Sequence, residues 1–402
     1  MSVAVASRSD LVQRARQAPV ARFTLFGAIA AIVGGIVLIM GLISGHPERA
    51  WAAYHVNFMF WAGLAQALVV FAATQKLAKG HWSGVIIRFA EAGVAFTTVT
   101  VVLFIGEIVG RNYIFTWIHE PRPDLAWWLT NKWFFLRNGA ILVLLSWISW
   151  RFVRHDVAPD VRELTGGQPV DRLDNAPRIS RDAAWVILAY AFGYTLIAID
   201  LIMSLSTRWV STLFGAFYFM GSFLAALMVL AILAIALRGA MPLEGIYTRR
   251  QQHDLAKLCF GFTVFWAYLM WSQFLVIWYG NLPEETYFIF YRLYGVWRPI
   301  GTAVFLMVFV IPFIGLLGVK PKLFAPTMVG VALVSLLGIW LERYLEIVPA
   351  INGGAGPVIG ITEIGVTLFF AGLFILSWAW FAGRYPIISP RLAADALERE
   401  QH

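Results

Sequence analysis

Apolar residues dominate ten stretches of roughly 20 residues or more between Phe23 and Phe381, the length a helix needs to cross a bilayer. They run Phe23–Ser44, Trp51–Thr74, Val85–Gly110, Asn131–Trp150, Ala183–Ser204, Ser211–Leu237, Leu255–Gly280, Trp297–Gly318, Phe324–Leu345 and Val358–Ala382. The pattern predicts an all-α polytopic membrane protein, with a tail at 1–22, a single membrane domain at 23–382 and a second tail at 383–402. Loops are short except at His155–Asp182. That segment is polar, carries Pro159, Gly166, Gly167, Pro169 and Pro177, and reads as a cytoplasmic linker loop. The first apolar run has no small-x-small site followed by a polar region, so it reads as an uncleaved anchor.

The apolar runs repeat at four-helix spacing. Span two opens Arg49-Ala-Trp51 and reaches Gly63 and Ala67; span six opens Arg208-Trp209 and reaches Gly221 and Ala225 at the same offsets. Span three carries Arg88, Glu91 and Phe96-Thr97 where span seven carries Asp254, Lys257 and Phe262-Thr263, which sets Glu107 against Gln273. Arg137 and Arg298 match between spans four and eight, as do Asp200 and Glu342 between spans five and nine. A duplication with an even number of spans keeps both copies in one orientation. The expected architecture is two four-helix bundles, about 51–204 and 211–345, flanked by spans one and ten.

Composition narrows the chemistry. Charged residues make up only 13% of the chain, about half the share of a soluble protein. The net charge of +8 follows topology: with the N-terminus inside, 22 Lys and Arg residues fall on the cytoplasmic side and 7 on the other. Arg16, Arg172, Arg181 and Arg238 belong to the first group, Arg111, Arg122 and Lys132 to the second. This positive-inside bias predicts that both termini are cytoplasmic. The single cysteine, Cys259, excludes an internal disulfide or a Cys-ligated iron–sulfur cluster. His55 is the only histidine well inside a span, so a haem with two histidine ligands cannot be built from this chain alone. No redox cofactor or metal site is visible. Tyr54, Trp61, Tyr190, Tyr194, Trp266, Tyr268, Trp271, Trp278 and Tyr279 line spans two, five and seven, and many of them sit near span ends, where aromatic belts form.

Ionisable residues inside spans are costly and face a protein interior or a wet cavity. On the cytoplasmic side, Arg88 with Glu91 and Asp254 with Lys257 form i, i+3 pairs. They read either as pairs neutralising each other at span ends or as the inner mouth of a proton path. His55, Glu107, Arg137, Asp200, Glu342, Arg343, Glu346 and Glu363 form an outer layer. That layer reads as a structural salt-bridge network, for instance Arg137 with Asp200 or Glu107, as a proton relay, or as the polar end of a quinol pocket.

Two stretches carry a more specific signal: Asp200–Gly215, and Phe260–Gln273 running on to Trp278-Tyr-Gly-Asn-Leu-Pro-Glu-Glu-Thr286. With Val56-Asn57-Phe58 and Gly63-Leu-Ala-Gln66, they resemble the ActF family of alternative complex III, a bacterial quinol:electron-acceptor oxidoreductase. That family belongs to the NrfD-like superfamily of polysulfide-reductase-type membrane subunits. The chain departs from the family's pattern at Ser206-Thr207-Arg208, where an acidic residue, Pro and His are expected before the Trp; Asp200, Gln273 and Glu284-Glu285 match. The resemblance implies a bacterial inner membrane and a set of partners: a paralogous NrfD-like subunit, an iron–sulfur subunit, multihaem cytochrome c subunits and small membrane anchors. It places haem and iron–sulfur clusters in those partners, with quinol binding or proton conduction left to this chain. A secondary transporter and a purely structural membrane anchor stay open as alternatives.

Overall fold

A computed structural model describes residues 8–15, 20–121, 123–168, 176–206, 208–240 and 246–400. Pro169, Arg16, Arg122, Arg172 and Thr207 lie outside the described residues. Within them the chain is helical with no strand, and ten helices are long and apolar enough to cross a membrane. The protein is an all-α, multi-pass membrane protein.

Spans one and two are Val20–Ile43 and Pro47–Leu77. Span three is broken into Ile87–Glu91 and Val94–Val109. Spans four to seven are Asn131–Leu164, Ala176–Leu201, Phe214–Ala240 and Arg249–Gly280. Span eight runs Arg298–Phe305, widens into a π turn at Leu306–Val310 and ends as Ile311–Gly315. Spans nine and ten are Ala325–Ile351 and Ile361–Arg384. Short helices Arg8–Arg14 and Pro390–Glu400 pack on each other; the membrane face they mark is called the terminal face below.

Span two is the hub. It is buried almost throughout and packs on spans three, five, six, nine and ten. Its small residues permit this. A Cβ on Gly63 would lie 2.4 Å from Ser222 Oγ on span six, and one on Gly93 in the break of span three would lie 2.8 Å from Ala65 O. Tyr218 and Tyr194 then donate to the carbonyls of Met59 and Ala62, each at 2.7 Å, tying spans six and five to the hub. Span one, with Leu25, Phe26, Ile29, Ile32 and Ile36 exposed, touches the rest mainly through span ten. Gly34 meets Phe369 and Gly365 there, and Gly372 meets Ala31, at distances that admit no side chain. Without a hydrophobic drive between helices in lipid, such close backbone contact is what holds them.

The expected linker loop is mostly helix. Span four continues to Leu164 with Pro159 inside it, and span five begins at Ala176. At 1.5 Å per residue its 34 residues reach about 50 Å, against a hydrocarbon thickness of about 30 Å. The polar residues mark where the helix leaves the apolar region, not where it ends. Val153, Asp156, Val157 and Asp160 recur at helical spacing and face inward, all buried. The stretch between spans seven and eight also holds a helix, Pro283–Leu293. Asn281 closes span seven in the left-handed conformation (φ 48°), and Pro283 opens the new helix, with Glu284 and Glu285 in its first turn. The run Asn281-Leu-Pro-Glu-Glu is thus a helix stop followed by a helix start.

Candidate functional site

On the terminal face, six ionisable groups converge from four elements, all buried but Lys76, which is partly buried. Arg88 is ion-paired with Glu91, with Asp160 and with Asp156, the last at 2.9 Å, and it also donates to the Asp156 carbonyl at 2.8 Å. Lys76 Nζ lies 2.8 Å from Asp156 Oδ1. Arg391, from the helix Pro390–Glu400, reaches the same oxygen at 3.2 Å and Asp160 Oδ1 at 3.6 Å. Three cations meet three carboxylates, so the cluster balances when all six are ionised. Arg88, Glu91, Asp156 and Asp160 are fully enclosed. Arg88 therefore does not reach out to the interface. Asp254 and Lys257 do pair, at 2.6 Å, but the Lys257 side chain is 55% exposed, so this pair sits at the protein surface and is no counterpart of the Arg88 cluster.

Towards the opposite face the sequence-identified charges fall into separate groups. His55 Nδ1 lies 2.7 Å from Glu107 Oε2, and His55 Nε2 lies 2.8 Å from the Leu201 carbonyl; both side chains are fully buried. A carbonyl only accepts, so Nε2 carries hydrogen. The short contact at Nδ1 then holds one further proton, either on imidazolium facing carboxylate or on a carboxylic acid facing neutral imidazole. Removing it would set two lone pairs against each other at 2.7 Å. This pair is therefore built around a single shared proton.

Asp200, next to Leu201, accepts from Arg137 Nε, Asn138 Nδ2 and Trp128 Nε1, each at 2.8 Å. Arg137 pairs with Asp200 and not with Glu107. Glu363 accepts two hydrogen bonds from Arg49, at 2.7 and 2.6 Å, bracing span two against span ten.

The remaining charges lie between spans six, seven and nine. Glu342 Oε1 accepts from Trp266 Nε1 at 2.8 Å, and Arg343 donates to Glu346 at 2.7 Å and to the Tyr218 carbonyl at 3.0 Å. Gly221 makes the room: a Cβ there would lie 2.9 Å from Arg343 NH2. Arg292, on Pro283–Leu293, donates to the Glu346 carbonyl at 2.9 Å. Its guanidinium lies over the Phe288 ring, which stacks on Trp209 on its other face. Burial pulls the Arg292 guanidinium down to about 9, still above neutral pH, so it stays charged. Trp209 of the Arg208-Trp209 motif thus supports the short helix. Gln273 lines a cavity beside Glu342 and Glu346.

Buried polar side chains stand between the two faces. Gln66 donates to Ser149 Oγ at 2.8 Å, and Thr97 Oγ1 lies 3.1 Å from Ser146 Oγ. The spacing along spans two, three and four puts these rungs about 10–15 Å from the charged groups at either end. Trp340 Nε1 donates to Asn57 at 3.1 Å, crossing from span nine to the hub.

Sequence reasoning named His55, Glu107, Asp200, Glu342, Arg343 and Glu346 but took them as one layer. It missed Asp156 and Asp160, whose i, i+4 spacing signalled an inward helix face. Lys76 and Arg391 look in the sequence like any other of the basic residues on the cytoplasmic side. Among the described residues, no three His, Cys, Asp or Glu side chains group to hold a metal ion. No protein-family model matches the chain, and no curated protein matches it either.

Proposed function

We propose that this multi-pass protein is a proton-conducting subunit of a bacterial quinol:electron-acceptor oxidoreductase, set in the inner membrane with both termini in the cytoplasm. The haem and iron–sulfur groups belong to partner subunits, as the ActF resemblance implies, and the partners are a paralogous membrane subunit, an iron–sulfur protein and multihaem cytochromes. The observation that carries the proton role is the His55–Glu107 pair, buried completely and arranged around one proton. Proton transfer needs a group that can hold and release a proton within hydrogen-bond reach of its partner. The Arg88 cluster lies about 30 Å further along span two, counting 1.5 Å for each residue from His55 to Lys76. Gln66–Ser149 and Thr97–Ser146 are the stations between.

The transporter alternative draws no support from the helix breaks. They fall in spans three and eight, which are not counterparts in a four-helix repeat. The anchor reading rests on the charge balance of the clusters and differs in one respect: it gives the His55–Glu107 proton no work. Affinity purification of the tagged full chain from its own membrane tests the subunit reading. Haem- and cluster-bearing proteins should accompany it, and the chain stripped of them should show no visible chromophore. A stable isolated chain with its own haem spectrum would overturn the proposal.

A further inference from the structure

A groove of about 190 Å³ lies between spans four and five towards the terminal face, lined by Trp147, Ile148, Arg151, Asp182 and Trp185. At its polar end Asp182, itself almost fully enclosed, accepts from Arg151 at 2.7 Å and meets His155 Nδ1 at 2.5 Å; Arg181 Nε stands 3.5 Å away. Both Asp182 oxygens are thus engaged. One carboxylate cancels one of the two arginines, so positive charge is left over even with His155 neutral. The groups that carry it are open, with the Arg151 side chain 36% exposed and that of Arg181 59%.

The depth of this cluster in the membrane follows from the sequence. The apolar run of span four ends at Trp150 and that of span five begins at Ala183, while both helices continue past those points. Arg151, Arg181 and Asp182 therefore stand where hydrocarbon gives way to headgroups. Trp147 and Trp185 lie about one turn to the lipid side of them, both exposed, at the level where indoles border the upper part of acyl chains. The same band continues across span four to span ten. Arg154 lies over the Trp150 ring and Arg384 over Trp380, and the two indoles meet edge-on with centroids 6.1 Å apart. Two further guanidinium groups thus add to the positive field at this depth.

We infer that this groove binds an anionic glycerophospholipid, with the phosphate on Arg151 and Arg181 and an acyl chain between Trp147 and Trp185. Basic pockets between spans on the cytoplasmic side suit such headgroups. A free phosphate ion would use the arginines and leave the indoles idle. A zwitterionic lipid would bring its own cation to a site already in positive excess. A helix of a partner subunit, about 10 Å across, is too wide for a groove of this volume. The inference goes beyond the proton role and does not depend on it.

The test is native mass spectrometry of the full chain released from detergent after incubation with equimolar phosphatidylglycerol and phosphatidylcholine. The unaltered chain should retain the first phosphatidylglycerol about five- to thirtyfold better, the advantage that one or two uncancelled basic residues give. Arg151→Gln with Arg181→Gln should lower that preference at least threefold. Arg249→Gln with Arg250→Gln removes the same charge from the exposed start of span seven and should leave it unchanged. Trp185→Ala should lower phosphatidylglycerol retention at least threefold with the charges intact, and millimolar inorganic phosphate should not displace the lipid. Equal retention of the two lipids by the unaltered chain, a reading independent of how any variant folds, would overturn the inference. So would retention of neither lipid, which would leave the groove to a partner subunit, and displacement by phosphate, which would make it a simple anion site. Full preference in the Arg151 and Arg181 variant, an equal loss in the Arg249 and Arg250 variant, or full retention after Trp185→Ala would overturn it as well.

Discussion

Replacing Arg88 with Met removes the cation that touches all three carboxylates of the terminal-face cluster. Met keeps most of the volume, so the main change is electrostatic. Glu91, Asp156 and Asp160 are then left with Lys76 and Arg391, a buried imbalance of one charge. At 2.9 Å, the Arg88–Asp156 separation, two unit charges interact by about 6 kcal/mol at an effective dielectric of about 20. Relief of Arg88's own desolvation offsets part of this. Breaking one side of a buried pair costs about 3–5 kcal/mol in practice, and Arg88→Met should fall in that range. Adding Glu91→Gln restores two cations against two carboxylates and should recover about half of the loss. Unfolding of detergent-solubilised protein followed by circular dichroism in a denaturant series gives the four corners of the double-mutant cycle. A cost below about 1 kcal/mol for Arg88→Met, or a double variant no more stable than the single one, would refute the argument that this cluster is an electrostatically closed unit.

Arg391→Gln should release the helix Pro390–Glu400 from Asp156, seen as loss of hydrogen-exchange protection there while spans two and four stay protected; unchanged protection would separate that helix from the cluster. Gly93→Val places side-chain atoms against the Ala65 carbonyl, which a bare Cβ already approaches to 2.8 Å. It should destabilise by about 1–3 kcal/mol, read in the same denaturant series; a neutral result would show that span three can back away from the hub. Asp200→Asn keeps the acceptor oxygen for Asn138 but leaves Arg137 unbalanced beside Trp128, and should lower the melting temperature without disturbing the His55–Glu107 contact. A histidine Nδ1 chemical shift that moves in that variant would argue against two separate groups.

The membrane fold was legible because a span needs about 20 apolar residues, and few other structures produce that pattern. Span ends were less legible. Hydropathy registers the lipid boundary, and the stretch 155–164 is a helix whose acids turn inward, where only partners from other elements make them tolerable. His55 and Glu107 could each be picked out as costly residues. Their pairing could not, because it depends on how span three sits against span two after its break at Gly93. Arg391 was invisible for a related reason: nothing local distinguishes a tail arginine bound for a buried aspartate from one in water. The cavity belongs to the same class. It arises where Pro283–Leu293, held by Trp209 stacking on Phe288, leans over spans seven to nine, and tertiary packing alone creates that surface.

The central claim is that the His55–Glu107 proton does transport work. Glu107→Gln keeps the side-chain shape and a hydrogen bond to His55 but removes the site that exchanges a proton. The measurement is the proton-to-electron ratio of the assembled complex in liposomes, with Glu363→Gln as a control that weakens the Arg49 brace and the cap on the Gly360 N–H at the start of span ten, away from His55. The account predicts that Glu107→Gln lowers the ratio at least tenfold while the complex stays assembled, and that Glu363→Gln leaves it unchanged. A full ratio in an assembled Glu107→Gln complex would contradict the account.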